Sequence, residues 1–444
     1  MKLSFKGGIH PLSNIHHGKY LTEKKASETM PIPKKIVISV AQHIGAPAKP
    51  IVNVGDRVLM GQKIGEAGGF VSVPIHSSVS GEVVDIRPMP HILGNDVLAV
   101  IIENDFKDEK VSGYGIKRDI TNLDSKEIVE LIKEGGLVGM GGATFPTHVK
   151  LSPPPEKKID VMIVNGAECE PFLTSDHRAM LEEPERIIKG LKLAMNILNV
   201  KTGYIGIESN KKDAIAVMKK KCKNEPISVK ILKVKYPQGG EKQLIQAVTK
   251  REVPSGGLPM DIGVVVLNTS TCIAIYNAVI KNIPLIQRTV TVTGNVKNPS
   301  NLIIRVGTVF EEIFEYCGGF TEKVEKLLVG GPLMGLAQYS MQVSTVKGVS
   351  ALLVLGKKLA KTPEQVNCIR CAKCVDVCPA GLMPLYMNVY SIRGDYDIAE
   401  EYNVMDCIEC GACSYECPSN RYLTQSFKFA KLQITKKRRA ESSK

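Results

Sequence analysis

The sequence contains no tryptophan, and aromatic residues make up only 5% of it. Proteins that bind single-stranded nucleic acid stack bases on aromatic side chains, so this composition argues against that function. Long apolar runs are also missing, because no stretch approaches the roughly 18–20 residues that span a bilayer. Residues 1–5 have no apolar segment typical of a secretory signal. The sequence therefore predicts a protein with neither a membrane span nor an export signal.

Acidic residues are outnumbered: 45 Asp and Glu face 58 Lys and Arg, which gives a net charge of +13. A basic balance suits an anionic membrane surface, an acidic protein, a phosphorylated ligand or a nucleic acid. The basic residues are spread along the chain except at 436–439, a run typical of a solvated terminus. Because a nucleic-acid role would rest on charge alone, no nucleic-acid partner is predicted. The 444 residues are enough for several domains with cores of their own.

Eight of the twelve cysteines lie in two runs of identical spacing near the C-terminus, each ending in Cys-Pro. This C-x2-C-x2-C-x3-C-P pattern holds [4Fe–4S] clusters in two-cluster ferredoxins, where the fourth cysteine ligates the other cluster. The first cluster site is predicted at Cys368, Cys371, Cys374 and Cys417, and the second at Cys407, Cys410, Cys413 and Cys378. Zinc sites or disulfides are the alternative, although neither needs a third cysteine and a Cys-Pro in duplicate. Cluster ligands imply a reducing cytosol, and Cys222, Cys272 and Cys317 are predicted to be inert buried thiols.

Residues 34–104 are predicted to form short β-strands broken by glycine and proline. The pattern resembles the barrel-sandwich hybrid fold of biotinyl and lipoyl carrier domains. Those carriers present a modified lysine on a hairpin tip, but residues 66–80, where the tip should lie, contain no lysine. The scaffold is therefore expected without a swinging arm, and His76 within it is predicted to be a surface or packing residue.

From about residue 125 to 283, apolar strands alternate with amphipathic helices. Strands are predicted at 159–164, 204–207, 227–234 and 264–267, and helices at 125–133, 178–198, 211–221, 242–249 and 270–281. This alternation predicts a mostly parallel sheet covered by helices on both faces. Residues 286–336 return to β character around a helix at 309–316 and resemble the SLBB (soluble-ligand-binding β-grasp) module, predicted to serve packing or docking. Helical spacing at 384–405, with a break at Gly394, favours a helical ferredoxin domain.

A glycine-rich loop opens the α/β region and contains Gly139, Gly141 and Gly142. Residues without side chains let backbone N–H groups approach a phosphate, and Lys150 adds a positive charge nearby. Alone, such a loop predicts little more than a tight turn. Its position at the start of an α/β fold, where nucleotides bind, favours a nucleotide site.

The loop and three later motifs resemble the flavin-bearing subunit of respiratory complex I. Residues 139–147 match its GRGGAGFPTG loop, 165–171 its NADESEP strand end, and 236–241 its GEE-type turn, while Asn268 matches an asparagine at a strand end. Met140, Thr144, Ala167 and Cys169 depart from the pattern. The resemblance implies FMN and NADH binding by Gly139, Gly141, Gly142, Thr144, Lys150, Asn165, Glu168, Glu170, Tyr236, Gly239, Gly240, Glu241 and Asn268. No catalytic side chain is assigned, since hydride transfer needs positioning rather than acid–base help, and His148 and His177 are predicted to be structural.

The order of the parts resembles the family of C subunits of Rnf electron-transport complexes, as do residues 2–11, 142–151 and 165–176. It implies a multidomain α/β protein with five segments: an N-terminal segment and barrel-sandwich domain (1–112), a Rossmann-like FMN/NADH domain (113–284), an SLBB β-grasp domain (285–355), a helical two-[4Fe–4S] ferredoxin domain (356–432) and a basic tail (433–444). It also implies an oxidoreductase component of a ferredoxin:NAD+ complex that translocates ions, peripheral on the cytoplasmic face of the cell membrane. The expected partners are the other subunits, especially the iron–sulfur B subunit, and indirectly ferredoxin.

Electron counting agrees with that resemblance. A nicotinamide gives up two electrons as hydride, whereas an iron–sulfur cluster accepts one, so a flavin must stand between them. Two alternatives stay open: a soluble flavin and iron–sulfur cobalamin reductase, and a non-enzymatic electron conduit without a working nucleotide site. The departures at Met140, Thr144 and Ala167 keep the second alternative open, and the barrel-sandwich domain argues against the first.

Overall fold

The computed structural model describes residues 2–11 and 16–442, so Met1 and residues 443–444 of the predicted tail lie outside the described residues. After a 3₁₀ helix at His16–Leu21, the barrel-sandwich region contains β1 (Ser27–Thr29), β2 (Lys35–Ser39), β3 (Lys49–Pro50), β4 (Arg57–Val58), β5 (Lys63–Glu66), β6 (Ile75–His76), β7 (Gly81–Pro90) and β8 (Asp96–Asn104). One antiparallel sheet has the order β2-β8-β7-β4 and a second the order β3-β5-β6. Both sheets bury apolar side chains, such as Ile38, Ile64 and Ile102, in one core.

The α/β region follows with α1 (Ser125–Glu134), α2 (Thr147–Lys150), β9 (Val161–Gly166), α3 (Ser175–Glu182), α4 (Pro184–Ile197), β10 (Thr202–Glu208), α5 (Lys212–Lys221), β11 (Ile227–Leu232), α6 (Glu241–Thr249), β12 (Val264–Asn268) and α7 (Thr269–Lys281). The strands pair in parallel in the order β11-β10-β9-β12. Alternate residues of β9 enter different cores, Met162 on the face covered by α4 and α7 and Ile163 on the face covered by α6. Helices therefore cover both faces, as the sequence predicts.

The predicted single helix at 178–198 is wrong, because α3 and α4 are separate helices that meet at Glu183. Pro184 occupies the first position of α4. Proline has no N–H to donate and restricts the residue before it, so Glu183 leaves the helical region with φ −127° and ψ 40°. The proline thus ends one helix and begins the next.

The β-grasp region contains β13 (Gln287–Gly294), β14 (Ser300–Arg305), α8 (Phe310–Tyr316), β15 (Lys326–Val329), β16 (Leu336–Gln338) and β17 (Ala351–Leu355). Its sheet has the order β1-β14-β13-β17-β15-β16, so β1 from the start of the chain pairs in parallel with β14. Helix α8 buries Phe310, Ile313 and Phe314 against Val290 and Val292 of β13.

The cysteine region is helical: α9 (Lys373–Asp376), α10 (Pro384–Arg393), α11 (Tyr396–Glu401), α12 (Ala412–Tyr415) and α13 (Leu423–Ser442). Gly394 ends α10 in a left-handed conformation, where the sequence predicts a break. Residues 436–439 continue α13 and are all exposed, as the solvated terminus expected from the sequence would be, and two of them pair with α11. Lys437 lies 2.6 Å from Asp397, and Arg438 pairs with Glu400. Among the helices of residues 2–11 and 16–442, none has the length and apolar character needed to cross a bilayer.

Candidate functional site

The glycine-rich loop lies at the carboxyl edge of the parallel sheet. The order β11-β10-β9-β12 reverses between β9 and β12, and α/β folds bind ligands outside the strand ends at such a reversal. Asn268 is the last residue of β12, Asn165 is the last but one of β9, and the two are paired in the register. A Cβ added at Gly141 would lie 3.4 Å from the Cβ of Asn268, so the loop passes directly over that asparagine. Gly142 has φ +113° and open space where a side chain would project.

The two asparagines hold the surrounding loops in place. Asn165 donates from Nδ2 to the Gly239 carbonyl (2.7 Å), and its Oδ1 accepts from Ala167 N (3.1 Å). Asn268 caps α7 by accepting from Ser270 N (2.9 Å), while its Nδ2 donates to Asp176 (2.8 Å). The predicted pair of asparagines is therefore brought together, and each joins two segments of the edge.

Two carboxylates, the buried Glu168 and the half-buried Asp176, lie behind this edge. Glu168 accepts from Asp176 N through Oε1 (2.9 Å), but its Oε2 is buried without a hydrogen-bond partner. Asp176 accepts from Asn268 and Thr269, and burial together with the nearby charge of Glu168 raises its pKa to about 6. Asp176 was missed as a site residue by sequence reasoning. The available signal was an acidic residue in the first turn of a helix, α3, at this edge.

Lys150 and Glu241 are brought together, but they pair with each other. Lys150 Nζ lies 2.7 Å from Glu241 Oε1 and also donates to the Val266 carbonyl (3.0 Å). Both side chains keep some exposure, 29% for Lys150 and 40% for Glu241, so a ligand can still reach them.

Glu170 and Tyr236 form hydrogen bonds with segments outside the α/β region. Glu170 accepts from Leu333 N (3.2 Å) and Met334 N (2.8 Å) in the turn between β15 and β16. Tyr236 is 1% exposed and donates from its hydroxyl to the Cys410 carbonyl (2.7 Å). Glu170 thus contacts the β-grasp region, and Tyr236 contacts the cysteine region.

Gly239 and Gly240 form the turn that joins the two groups of residues. A Cβ at Gly239 would lie 2.2 Å from the Ala167 carbonyl oxygen, so this close approach requires glycine. Gly239 N donates to Cys169 Sγ (3.3 Å), and burial raises the pKa of the Cys169 thiol to about 12. The adjacent Gln238 is fully buried, and neither polar atom of its side chain has a partner.

The four cysteines of the predicted second cluster site line one cavity, with Leu382, Met387 and Phe427 among its apolar walls. Burial, followed by the charges of neighbouring thiols, raises the pKa of Cys410 and of Cys413 to about 12. Four thiols around one apolar space fit a cubane cluster, whose binding would remove their protons.

The predicted first cluster site lies at the surface. Burial and then the charges of Cys417, Cys368 and Cys371 raise the pKa of Cys374, so these four thiols are neighbours. Cys368 and Cys371 are exposed. Within residues 2–11 and 16–442, no three His, Cys, Asp or Glu side chains converge as a single metal ion would require. A cubane instead holds each thiolate on a separate iron.

The two histidines near the loop have structural surroundings. His148 is buried in α2, and burial lowers its pKa. His177 pairs with an aspartate, which the sequence did not predict: its Nε2 lies 2.9 Å from Asp213 Oδ1. This pair joins α3 to α5. The predicted inert thiols Cys222, Cys272 and Cys317 are all buried.

The residues present fit a flavin at the strand edge. Gly142 leaves open space where a side chain would project. One carboxylate oxygen of Glu168 and the side-chain amide of Gln238 are buried without a hydrogen-bond partner, so both are available to a ligand. Together with the two cysteine sets, they define a flavin and iron–sulfur electron-transfer protein.

Comparison with known proteins gives the particular family. Family models match the RnfC barrel sandwich hybrid domain at residues 3–107, the Nuo51 FMN-binding domain at 132–277, the SLBB domain at 289–337 and the 4Fe-4S dicluster domain at 361–418. The chain belongs to the RnfC family, the C subunits of ion-translocating ferredoxin:NAD+ oxidoreductase complexes. The predicted fold class, the FMN and [4Fe–4S] cofactors and the family resemblance are therefore confirmed.

Three curated relatives show how complete the match is. The chain is 46% identical over 433 residues to the C subunit of the proton-translocating ferredoxin:NAD(+) oxidoreductase complex of Clostridium ljungdahlii, covering 97% of this chain and 94% of the relative. It is 46% identical to the C subunit of the Na(+)-translocating complex of Acetobacterium woodii, with 98% of each chain covered. The C subunit of the ion-translocating oxidoreductase complex of Rhodobacter capsulatus is 41% identical, with 98% and 84% covered.

Proposed function

We propose that the protein is the NADH-oxidising and NAD+-reducing subunit of a membrane-bound, ion-translocating ferredoxin:NAD+ oxidoreductase complex. One observation carries the proposal: the turn at 236–240 links the carboxyl edge of a parallel sheet directly to a cavity lined by four thiols. When bound, FMN would accept hydride from NADH and pass on two single electrons, which the [4Fe–4S] clusters carry.

The chain's own residues bind and orient in this proposal. Backbone N–H groups at Gly141, Gly142 and Thr144 would bind the flavin phosphate, while the Gly139 N–H closes the loop by donating to the Phe145 carbonyl (2.8 Å). Asn165 and Asn268 hold the loops, and the free oxygen of Glu168 accepts a hydrogen bond from the ligand. Lys150 and Glu241 lie at the exposed opening of the site. A phosphate of the bound nucleotide would pair with Lys150 and break its ion pair with Glu241. The ribose hydroxyls would then donate hydrogen bonds to the Glu241 carboxylate.

The second cluster site would receive electrons from a bound flavin, and the first cluster site would be the exit to a partner. The support is that Tyr236, Ile9 and Cys410 share one buried cluster, whereas Cys368 and Cys371 are exposed. Exposed Arg370 and Lys373 flank the exit and favour an acidic partner surface. We assign that partner as the iron–sulfur B subunit of the complex, with ferredoxin served indirectly.

This proposal keeps the predicted domain limits: 1–112, 113–284, 285–355, 356–432 and 433–444. Association with the membrane is peripheral, on the cytoplasmic face of the cell membrane, through partner subunits. The net charge of +13 supports attraction to an anionic surface or to acidic partners.

An anaerobic NADH titration of the protein loaded with FMN and iron–sulfur clusters tests the activity. We expect the flavin absorbance to bleach and the cluster absorbance to decrease in the same titration. If flavin and clusters are intact but neither bleaches, the proposal fails and a non-enzymatic electron conduit becomes the better account.

Two cysteine variants test the order of the clusters. With Cys374→Ala, one cluster is lost, while NADH still reduces the flavin and the remaining cluster. With Cys413→Ala, the second cluster is lost and the surface cluster no longer receives electrons from the flavin. Over the time in which NADH reduces both centres of the Cys374→Ala variant, it should therefore reduce only the flavin. If both variants transfer electrons equally well, the proposed order is wrong.

A further inference from the structure

The described N-terminal segment, residues 2–11, forms a strap along the α/β region. Leu3 N donates to the Ile231 carbonyl, and Lys233 N donates to the Leu3 carbonyl, both at 2.9 Å. The strap therefore begins as an extension beside β11. Lys235 holds the next residues, because its Nζ donates to the Phe5 carbonyl (3.0 Å) and lies 4.5 Å from the Phe5 ring centroid.

The strap then contacts two parts of the molecule at one point. Gly8 N donates to the carbonyl of Val377, the residue before Cys378, at 2.8 Å. Ile9 and Tyr236 exchange backbone hydrogen bonds of 2.8 and 2.9 Å. Because the Tyr236 hydroxyl binds the Cys410 carbonyl, this point touches the backbone beside two ligands of the second cluster site.

Glycine is required at both positions of this crossing. Gly7 has φ +76°, and a Cβ there would lie 2.6 Å from the Cys378 carbonyl oxygen. Gly8 has φ +80°, and a Cβ there would lie 2.6 Å from the Tyr236 carbonyl oxygen. Both obstacles are backbone atoms, so a side chain must displace the main chain itself. The Ile9 side chain seals the crossing by packing with Tyr236, Cys410 and Ala412.

We propose that the Gly7–Gly8 crossing is a positioning element, which fixes Cys378 and Cys410 of the second cluster site against the Tyr236 turn of the flavin domain. This inference rests on the proposed function. Each transfer across the crossing moves one electron from the reduced flavin to one oxidised cluster, and NADH restores the flavin's two electrons. The strap itself donates and accepts no electron.

The test compares Gly7→Ala and Gly8→Ala with the matched control Gly94→Ala. Gly94 also has a left-handed backbone, φ +89°, but nothing lies within 4 Å of its added Cβ, so the control carries backbone strain without a collision. The loaded proteins are reduced with dithionite to record the EPR signal and potential of each cluster. Stopped-flow absorbance then separates flavin reduction by NADH from the later cluster reduction.

We expect flavin reduction to match the control in both variants. The second cluster should show an altered EPR signal and potential, and its reduction should slow by up to about 100-fold, the loss that a misplacement of about 1 Å can cause. Selective loss of that cluster, with the first cluster retained, also supports the proposal.

Two results would overturn it. One is cluster spectra and transfer rates equal to those of Gly94→Ala. The other is equal loss of both clusters and of flavin reduction, which would mark the strap as a general folding element. The dithionite spectra need no NADH, so failure of the NADH activity in the unaltered protein is distinguishable from failure of this inference.

Discussion

Glu170 shows how the neighbours of a residue decide its role. Its place in the motif at 165–171 predicts a glutamate that faces flavin or nicotinamide. In the structure the carboxylate accepts from Leu333 N and Met334 N, and burial outweighs these bonds and raises its pKa from 4.5 to about 7. A motif fixes the identity of a side chain, but the rotation of that side chain depends on the distant segment packed against it.

Glu170 should make stability depend on pH. The pKa of Glu170 is higher in the folded protein than in the unfolded chain. Its contribution to the free energy of unfolding is therefore complete below pH 4.5 and is lost as pH rises through about 7. Glu170→Gln should remove this dependence, which reaches at most about 1.4 kcal/mol per pH unit. Thermal unfolding of both proteins at pH 6 and pH 8 should show the variant gaining relative to the parent at pH 8. An equal difference at both pH values would contradict the prediction.

Glu241 should affect nucleotide binding and leave the clusters intact. Removing it by Glu241→Ala should raise the KM for NADH roughly tenfold, about the loss of one hydrogen bond to a charged group. Glu225→Ala is the matched control, because Glu225 also pairs with a lysine at 2.7 Å but precedes β11 at the opposite edge of the sheet. Steady-state kinetics and iron content measure the effect. A KM equal to that of the control would remove Glu241 from the site.

At the scale of elements, apolar periodicity predicted those helices and strands that bury one face against their neighbours. The strand at 227–234 and the helix at 270–281 appear as Ile227–Leu232 and Thr269–Lys281, because apolar periodicity reports the face that is buried. β1 could not be assigned in this way. It is a three-residue strand whose partner, β14, lies more than 270 positions later. The Tyr236 contact with Cys410 spans 174 positions, so local sequence patterns could not predict the junction between the flavin and cluster domains.

Gly190 is an element-scale prediction. A glycine within a helix costs stability, so its place in the middle of α4 needs a reason. A Cβ there would lie 1.9 Å from the Cys272 carbonyl oxygen of α7, so glycine allows the two helices to pack closely. Gly190→Ala should destabilise the protein by about 1–3 kcal/mol through overpacking.

Denaturant unfolding of the loaded protein measures the effect of Gly190→Ala, with Gly69→Ala as control. An added Cβ at Gly69 meets only the Ala46 Cβ at 3.5 Å, an ordinary contact. If Gly190→Ala is as stable as this control, α4 and α7 do not need the close approach.

The whole molecule is joined by buried lysines that bind backbone carbonyls. Lys19 donates to the carbonyls of Glu168, Glu170 and Leu173, which fixes the N-terminal 3₁₀ helix beneath the flavin edge. Lys347 follows β16 and donates to Gly136 O of the α/β region (2.7 Å) and Pro74 O of the barrel-sandwich region (3.1 Å). One side chain thus joins three regions, which sequence patterns show only as a lone lysine between strands.

Lys347 should give the assembled molecule a stability that rises with pH. It is 2% exposed, and burial lowers its pKa from 10.5 to about 7. Its contribution to stability is therefore complete above pH 10.5 and is lost as pH falls through about 7. The facing His76 does not titrate in this range, since burial lowers its pKa to about 3.

Lys347→Met removes the titrating group from this junction of three regions. The variant should lose stability relative to the parent as pH rises from 7 to 9, by up to about 1.4 kcal/mol per pH unit. Lys323→Met, at a lysine that is 86% exposed, is the control and should differ from the parent equally at both pH values. Denaturant unfolding at pH 7 and pH 9 makes the comparison. The Lys347 side chain contacts three regions, so the pH-dependent difference should appear in the main unfolding transition. If no such difference is found, Lys347 stays charged when buried.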